Sequence, residues 1–337
     1  METPGTIWRK EGMKRLYTFL LIGLLILLVL PKFLSSYALG VFIMIFFYAY
    51  LGQSWNILTG YTGVISLGHS LYIGVGAYAT TYLVMAFGLS PWIGMWIGGT
   101  CAALIGLVIG YLGFRFGMKG VYFVLLTIAF AEIGRLILLH LKVFGSFQGL
   151  FITPNFSYRN FQFKSNHAYY YIGLGYVIFS LIVVRLIERS KIGRYMVALR
   201  EDEDAAESLG VNVFKYKMIA ICISAFMTSL AGAFYANYLY YLHPGTLMSM
   251  AFSIEIILRP IIGGLGTVLG PIIGSFLITP LAELSRSYFA KAGYEGLHLV
   301  IYGFLLVAVV LFFPRGVVSY IKKLFMPAIA RPKKLRA

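Results

Sequence analysis

Ionisable residues are scarce inside the apolar runs of this sequence, and those that occur fall at helical spacing. Glu132 and Arg135 stand three residues apart, and Glu255 and Arg259 four apart, so on a helix each pair shares one face. Charges within a membrane span are costly and are kept either for mutual neutralisation or for a solute route. Local pairing and pathway lining are therefore the two readings of these groups. His69, followed by Ser70 among small residues, reads as a packing or hydrogen-bonding group, since no second ligand stands at metal-binding spacing. Cys101 and Cys222 lie in apolar runs without ligand-type neighbours, which leaves no disulfide framework and no thiolate metal site. Gly74 and Gly76 superficially fit a dinucleotide fingerprint, but no strand precedes them. The sequence also lacks the G-x-x-x-x-G-K-[ST] phosphate loop. Nothing in it assembles a nucleophile, base and acid for covalent catalysis.

The elements that carry these groups are set by composition. Of 337 residues, 60% are apolar and 12% charged, and the mean hydropathy is +0.83, which excludes an ordinary soluble domain. A hydrocarbon core of about 30 Å requires about 20 apolar residues per helix. Ten runs approach that length: 16-34, 37-58, 68-88, 91-112, 120-141, 168-187, 217-241, 248-263, 267-285 and 297-313. The eighth is short and contains Glu255, Arg259 and Pro260, so it either crosses or only dips into the membrane. The first follows basic residues like a secretory signal, but no A-x-A site follows it, and it reads as an uncleaved span.

The expected fold class is thus an all-α polytopic membrane protein of about ten transmembrane or partly spanning helices. With the amino terminus in the cytosol, segments 1-15, 113-119, 188-217 and 314-337 hold 19 of the 28 Lys and Arg residues, as the positive-inside rule requires. Both termini are then cytosolic: a basic segment 1-15, a transmembrane domain 16-313 and a basic tail 314-337. The formal charge of +16 follows from this topology, with no compact basic domain to bind nucleic acid.

One cytosolic loop stands apart. Residues 188-217 hold six of the twelve acidic residues: Glu188, Glu201, Asp202, Glu203, Asp204 and Glu207. The stretch from Arg200 to Leu209 reads as a short helix, with acids near its positive end and Gly210 just beyond its last turn. Ala205 and Ala206 leave a low surface that a partner can approach, and Leu209 adds an apolar contact four residues from Ala205. A solvated linker is the plainer alternative. Asp204-Ala205-Ala206, three residues, then Gly210 resembles the E-A-A-x-x-x-G signature of ABC importer permeases, with aspartate in place of the usual glutamate.

Three further stretches extend that resemblance over most of residues 37-313. The first runs from Asn56 to Tyr78 with Gly60, Gly63, Ser66, Gly68 and His69. The second runs from Tyr122 to Arg135 with Glu132. The third has Glu255 followed by Gly263, Gly264, Gly266, Gly270 and Pro271. Together they resemble the LivM-type permeases of branched-chain amino acid ABC importers. Two departures stand out: the loop from Phe144 to Pro154 keeps only part of a paired-glycine pattern, and Arg259-Pro260 replaces a commonly apolar pair.

The resemblance implies a multi-pass permease subunit of a prokaryotic cytoplasmic (inner) membrane, forming the pathway for branched-chain or related amino acids. It implies coupling, not catalysis, for Asp204, Ala205, Ala206, Leu209 and Gly210. It further implies a second homologous permease (LivH-like), two ATP-binding subunits that use ATP and Mg, and an extracytoplasmic solute-binding protein. This chain then binds no cofactor itself and is no enzyme. The glycine stretches Gly60-Gly68 and Gly263-Gly270 either pack helices closely, as the four-residue row Gly266, Gly270 and Gly274 suggests, or break them to line a pathway or hinge. An ion-driven secondary transporter, or a permease of the same family for urea or short amides, remains open at this level.

Overall fold

Polar residues punctuate this apolar chain, and the computed structural model places its helix ends at them. It describes residues 22-291, 300, 303-304, 307 and 316-318. Segment 1-15, the start of the first run, most of the tenth run and most of the tail 314-337 lie outside the described residues. In chain order the helices are α1 (Ile22–Lys32), α2 (Ser36–Thr62), α3 (His69–Phe87), α4 (Pro91–Arg115) and α5 (Val121–His140). They continue with α6 (Asn166–Arg189), α7 (Lys191–Glu201), α8 (Glu203–Ser208), α9 (Val213–Leu239), α10 (Pro244–Leu247), α11 (Met250–Gly263) and α12 (Gly270–Lys291). Ser35, Ser165, Ser190, Asp202, Asn212 and Ser249 each accept a hydrogen bond from the first turn of the helix they precede.

Seven helices among the described residues are long and apolar enough to cross a membrane: α2 to α6, α9, and the 20-residue stretch Pro244–Gly263 formed by α10 and α11. The chain is an all-α polytopic membrane protein. α11 alone has 14 residues, about 21 Å of helix and short of the hydrocarbon core, so the eighth run reaches spanning length only with α10. α12, which carries Pro280, Glu283 and Arg286, is not among the seven.

α2 is the axis of the bundle. It is apolar on every side, and from Ile45 to Thr62 all its residues are buried, against α6, α9, α11 and α12. A second layer, α3, α4 and α9, closes through small residues: Gly76 lies against the Ser229 backbone and Gly232 against that of Ile73, where a Cβ would collide. A two-stranded antiparallel ribbon, β1 (Leu150–Phe151) with β2 (Tyr241–Leu242), ties the loop after α5 to the end of α9.

Candidate functional site

The acidic loop folds as an arm with a joint. α7 buries Gly193, Met196 and Leu199, then ends at Glu201; Asp202 is extended (φ −158°) and its carboxylate caps α8 by accepting from the Ala205 N–H at 2.9 Å. The expected single helix from Arg200 to Leu209 is therefore two, because an aspartate that caps a new helix start competes with continuation of the old one. Gly210 leaves α8 in the left-handed conformation (φ +83°), as the sequence indicated.

The face of α8 also differs from expectation. Ala206 is turned inward at 4% exposure, while Ala205 is exposed and Leu209, at 86%, projects from the protein. Asp204 is held by Lys119 at 3.3 Å, and Glu203 lies between Lys119 (3.6 Å) and the buried amine of Lys217 (2.7 Å). The hydrogen bond to Asp204, with the nearby charge of Glu203, raises the Lys119 amine above its ordinary range. Neither lysine was foreseen. The only signal was the basic character of segment 113-119 and the lysine at the entrance to α9.

At the root of the arm, the two glycine stretches meet. Arg200, on the last turn of α7, donates from Nη1 to the Gly60 carbonyl at 2.8 Å. Gly266, in the α11–α12 turn, packs on that same carbonyl and on the Arg200 guanidinium with no room for a side chain. Asn56 accepts from the Gly266 N–H at 2.9 Å and donates to Thr267 at 3.1 Å, while Gln53 donates to the Val268 carbonyl. α2 thus grips a broken-helix turn more than 200 residues away.

Both stretches interrupt helices. Gly63 caps α2 at φ +76° beside Arg200, and α3 begins at His69; α11 ends at Gly263, Gly264 caps it, and α12 begins at Gly270. The freed backbone groups are taken up by side chains: Trp55 donates to the Ser66 carbonyl at 2.8 Å, Thr59 to Val64 and Thr267 to Gly264, both at 2.9 Å. Gly266 lies in the turn, so the expected four-residue helix row is reduced to Gly270 and Gly274, which pack on the α11 backbone with Gly263. Gly68 packs on Thr127 of α5. His69 is buried and bonded on both nitrogens, to Ser66 at 3.3 Å and Ser224 at 2.8 Å.

The two charge pairs diverge. On α5, Arg135 pairs with Glu132 through Nη2 and through Nε at 2.9 Å, as the three-residue spacing predicts, and the carboxylate is half exposed. Glu255 instead accepts from the Tyr48 hydroxyl at 2.6 Å and lies 3.6 Å from Arg286. Arg259 donates to the backbone carbonyl of Glu255 and stacks 3.5 Å over the Tyr48 ring. The local reading of this second pair fails because α11 packs against α2 and α12, which supply nearer partners. Glu255 opens on a cavity of about 640 Å³ bounded by α2, α9, α11 and α12, in the half of the bundle remote from the arm.

Comparison with known proteins bears on this arrangement. Residues 37–310 match the family model described as branched-chain amino acid transport system / permease component. The chain is 27% identical over 296 residues to the high-affinity branched-chain amino acid transport system permease protein LivM of Salmonella typhimurium, covering 80% of this chain and 68% of that protein. It is 26% identical over 271 residues to a probable branched-chain amino acid transport permease protein LivH of Methanocaldococcus jannaschii, covering 76% and 83% respectively. A ribose import permease protein RbsC of Haemophilus influenzae is 28% identical over 138 residues, 38% of this chain and 42% of that one. No solved structure matches.

Proposed function

This chain belongs to the branched-chain amino acid ABC importer permease family, and on that premise we propose that it forms the membrane pathway for a branched-chain or related amino acid. It sits in a prokaryotic cytoplasmic membrane, with both termini and the α7–α8 arm in the cytosol. Two partner subunits hydrolyse ATP with Mg, and an extracytoplasmic protein delivers the solute. Asp204, Ala205, Leu209 and Gly210 form the docking surface of α8, while Ala206 anchors that helix to the permease.

The observation that carries this reading is the Arg200–Gly60–Gly266 contact. The arm presents an exposed leucine at its tip, and its root touches the turn on which α2, α11 and α12 converge. A push on α8 by a closing ATPase reaches Gly60 through α7 and Arg200, and α9 through Glu203 and Lys217. Alternating access then needs no covalent chemistry here. ATPase closure has only to favour one arrangement of α2 against α11–α12, by differential contact with the two states.

A second permease is supported by α5. Its most apolar stretch is only 17% buried by the rest of the chain, yet it carries the Glu132–Arg135 pair on an exposed face. Ionised groups turned to lipid are unfavourable by several kcal/mol, so this face is covered by a second, homologous permease or borders the water-filled route between them.

Copurification from detergent tests the docking surface. Leu209→Asp and Ala205→Trp are expected to abolish recovery of an ATP-binding subunit with the permease, whereas wild-type chain retains it. Solute transport by this chain alone in vesicles without ATP would overturn the proposal.

A further inference from the structure

The cavity remote from the arm joins Glu255 to groups that the family resemblance did not assign. Its walls are mainly aromatic and aliphatic, among them Met44, Tyr235 and Phe252, and its volume of about 640 Å³ lies within the range of small-molecule sites, about 300–1,000 Å³. Charge converges at one place. The Arg286 guanidinium stands 3.3 Å from Glu283 and 3.6 Å from Glu255, and the second oxygen of Glu255 receives the Tyr48 hydroxyl at 2.6 Å. Two carboxylates therefore flank one guanidinium, the cavity's charged groups, among walls that are mainly aromatic and aliphatic with a few hydroxyl and amide groups.

A second, independent observation lies directly behind Tyr48. The Arg259 side chain is fully buried, at 0% exposure, against the inner face of that ring. Nη1 is used on the Glu255 carbonyl, but Nε and Nη2 have no hydrogen-bond partner among the described residues. A guanidinium buried with unmet donors is destabilising unless an anionic or carbonyl oxygen arrives to meet them. A fold held only by internal ion pairs has no need of such a group.

We propose that this cavity is a binding station within the permease for a solute bearing both an ammonium and a carboxylate group. Glu255 and Glu283 receive the ammonium, Arg286 receives the carboxylate, and the aliphatic side chain lies against Met44, Tyr235 and Phe252. Arg259 supplies the next carboxylate partner once the Tyr48 ring is displaced. A neutral sugar carries neither charge and gains no ionic contact there, so the station selects against it. This inference rests on the amino-acid importer reading above and assigns its solute contacts.

The test uses the permease assembled with its partner subunits in proteoliposomes, supplied with ATP and radiolabelled L-leucine. Glu255→Gln and Arg286→Gln are expected to lower uptake roughly tenfold or more with complex recovered at wild-type yield, and Arg286→Lys to restore part of it. The second measurement needs no charge removed. With Cys101 and Cys222 replaced by alanine, Ala251→Cys places a thiol on the cavity wall, and L-leucine is expected to slow its modification by a charged thiosulfonate. Isopentylamine and 4-methylpentanoate, each lacking one of the two charges, are expected to give no protection. If the glutamine variants assemble poorly, the protection experiment decides alone. Wild-type uptake in the assembled glutamine variants, or no protection by leucine in a complex that imports it, overturns the station and leaves the importer reading standing. Wild-type complex that imports no zwitterionic amino acid removes both.

Discussion

α2 and α5 are both membrane-length helices with polar residues in mid-span, and they satisfy those residues in opposite ways. The most apolar stretch of α2 is 72% buried, against 17% for α5. The polar groups of α2 reach inward: Gln53 and Asn56 hold the α11–α12 turn, and Ser54 accepts on its backbone carbonyl from Ser224. The charged groups of α5 close on each other, Glu132 to Arg135, on a face that this chain leaves open, while its Thr127 turns inward to the Leu67 N–H. A polar group bonded to distant elements of its own chain is part of the frame, whereas a charge pair at an open face is the one we assign to an assembly. α2 is in this sense the strut of the permease, and α5 is the flank that we propose faces a partner.

The sharpest way to break the comparison is at α2. Asn56→Ala removes the acceptor of the Gly266 N–H and the donor to Thr267 together, and each buried group left unmet costs about 1–3 kcal/mol. A clear fall in the thermal midpoint of the purified chain in detergent is expected. An unchanged midpoint would mean that the turn is held elsewhere.

At α5 the same kind of change should leave the isolated chain alone and act on assembly. Glu132→Gln strands Arg135 at the covered face, and we expect the midpoint of the chain to be kept while association with the second permease weakens roughly tenfold. Wild-type transport and assembly in this variant would show that the face needs no charge. Arg200→Ala probes the link between the frame and the arm. ATP hydrolysis by the complex is expected to continue while solute uptake per ATP falls, since the charge-assisted bond to Gly60 is lost.

The smallest effect is expected at Lys119→Ala, where an exposed contact to Asp204 and Glu203 is removed. Because the acids raise the Lys119 pKa, the contact is fully present below the unfolded value and is lost only as pH rises through the higher folded one. ATPase copurification should therefore be insensitive to pH between about 6 and 9 and respond mildly to salt. A strong loss near neutral pH would place another titrating group at the arm.

Much of the architecture was legible because its signals are local. Apolar run length and the glycine at Gly210 act over one or two turns, so the helices could be read directly, while ends such as that of α9, set at Val213 by the Asn212 cap, fell several residues from the run bounds. The acidic loop was legible for a different reason: half the acids of a charge-poor chain lie in it. Its joint at Asp202 was not, because a run of four acids gives no sign of which one turns back to cap a helix.

The sequence by itself determined the helical membrane class, the place of the acidic arm along the chain, and the Glu132–Arg135 pair, where partners three residues apart lie on one face whatever the surroundings. Only the tertiary structure decided that Gly60 meets Gly266, that Ala206 faces inward, and that Glu255 turns from Arg259 to Tyr48 and Arg286. The physical reason is distance along the chain. Spacing fixes contacts within a helix, but a side chain free to choose among neighbouring helices takes the partner that packing brings nearest.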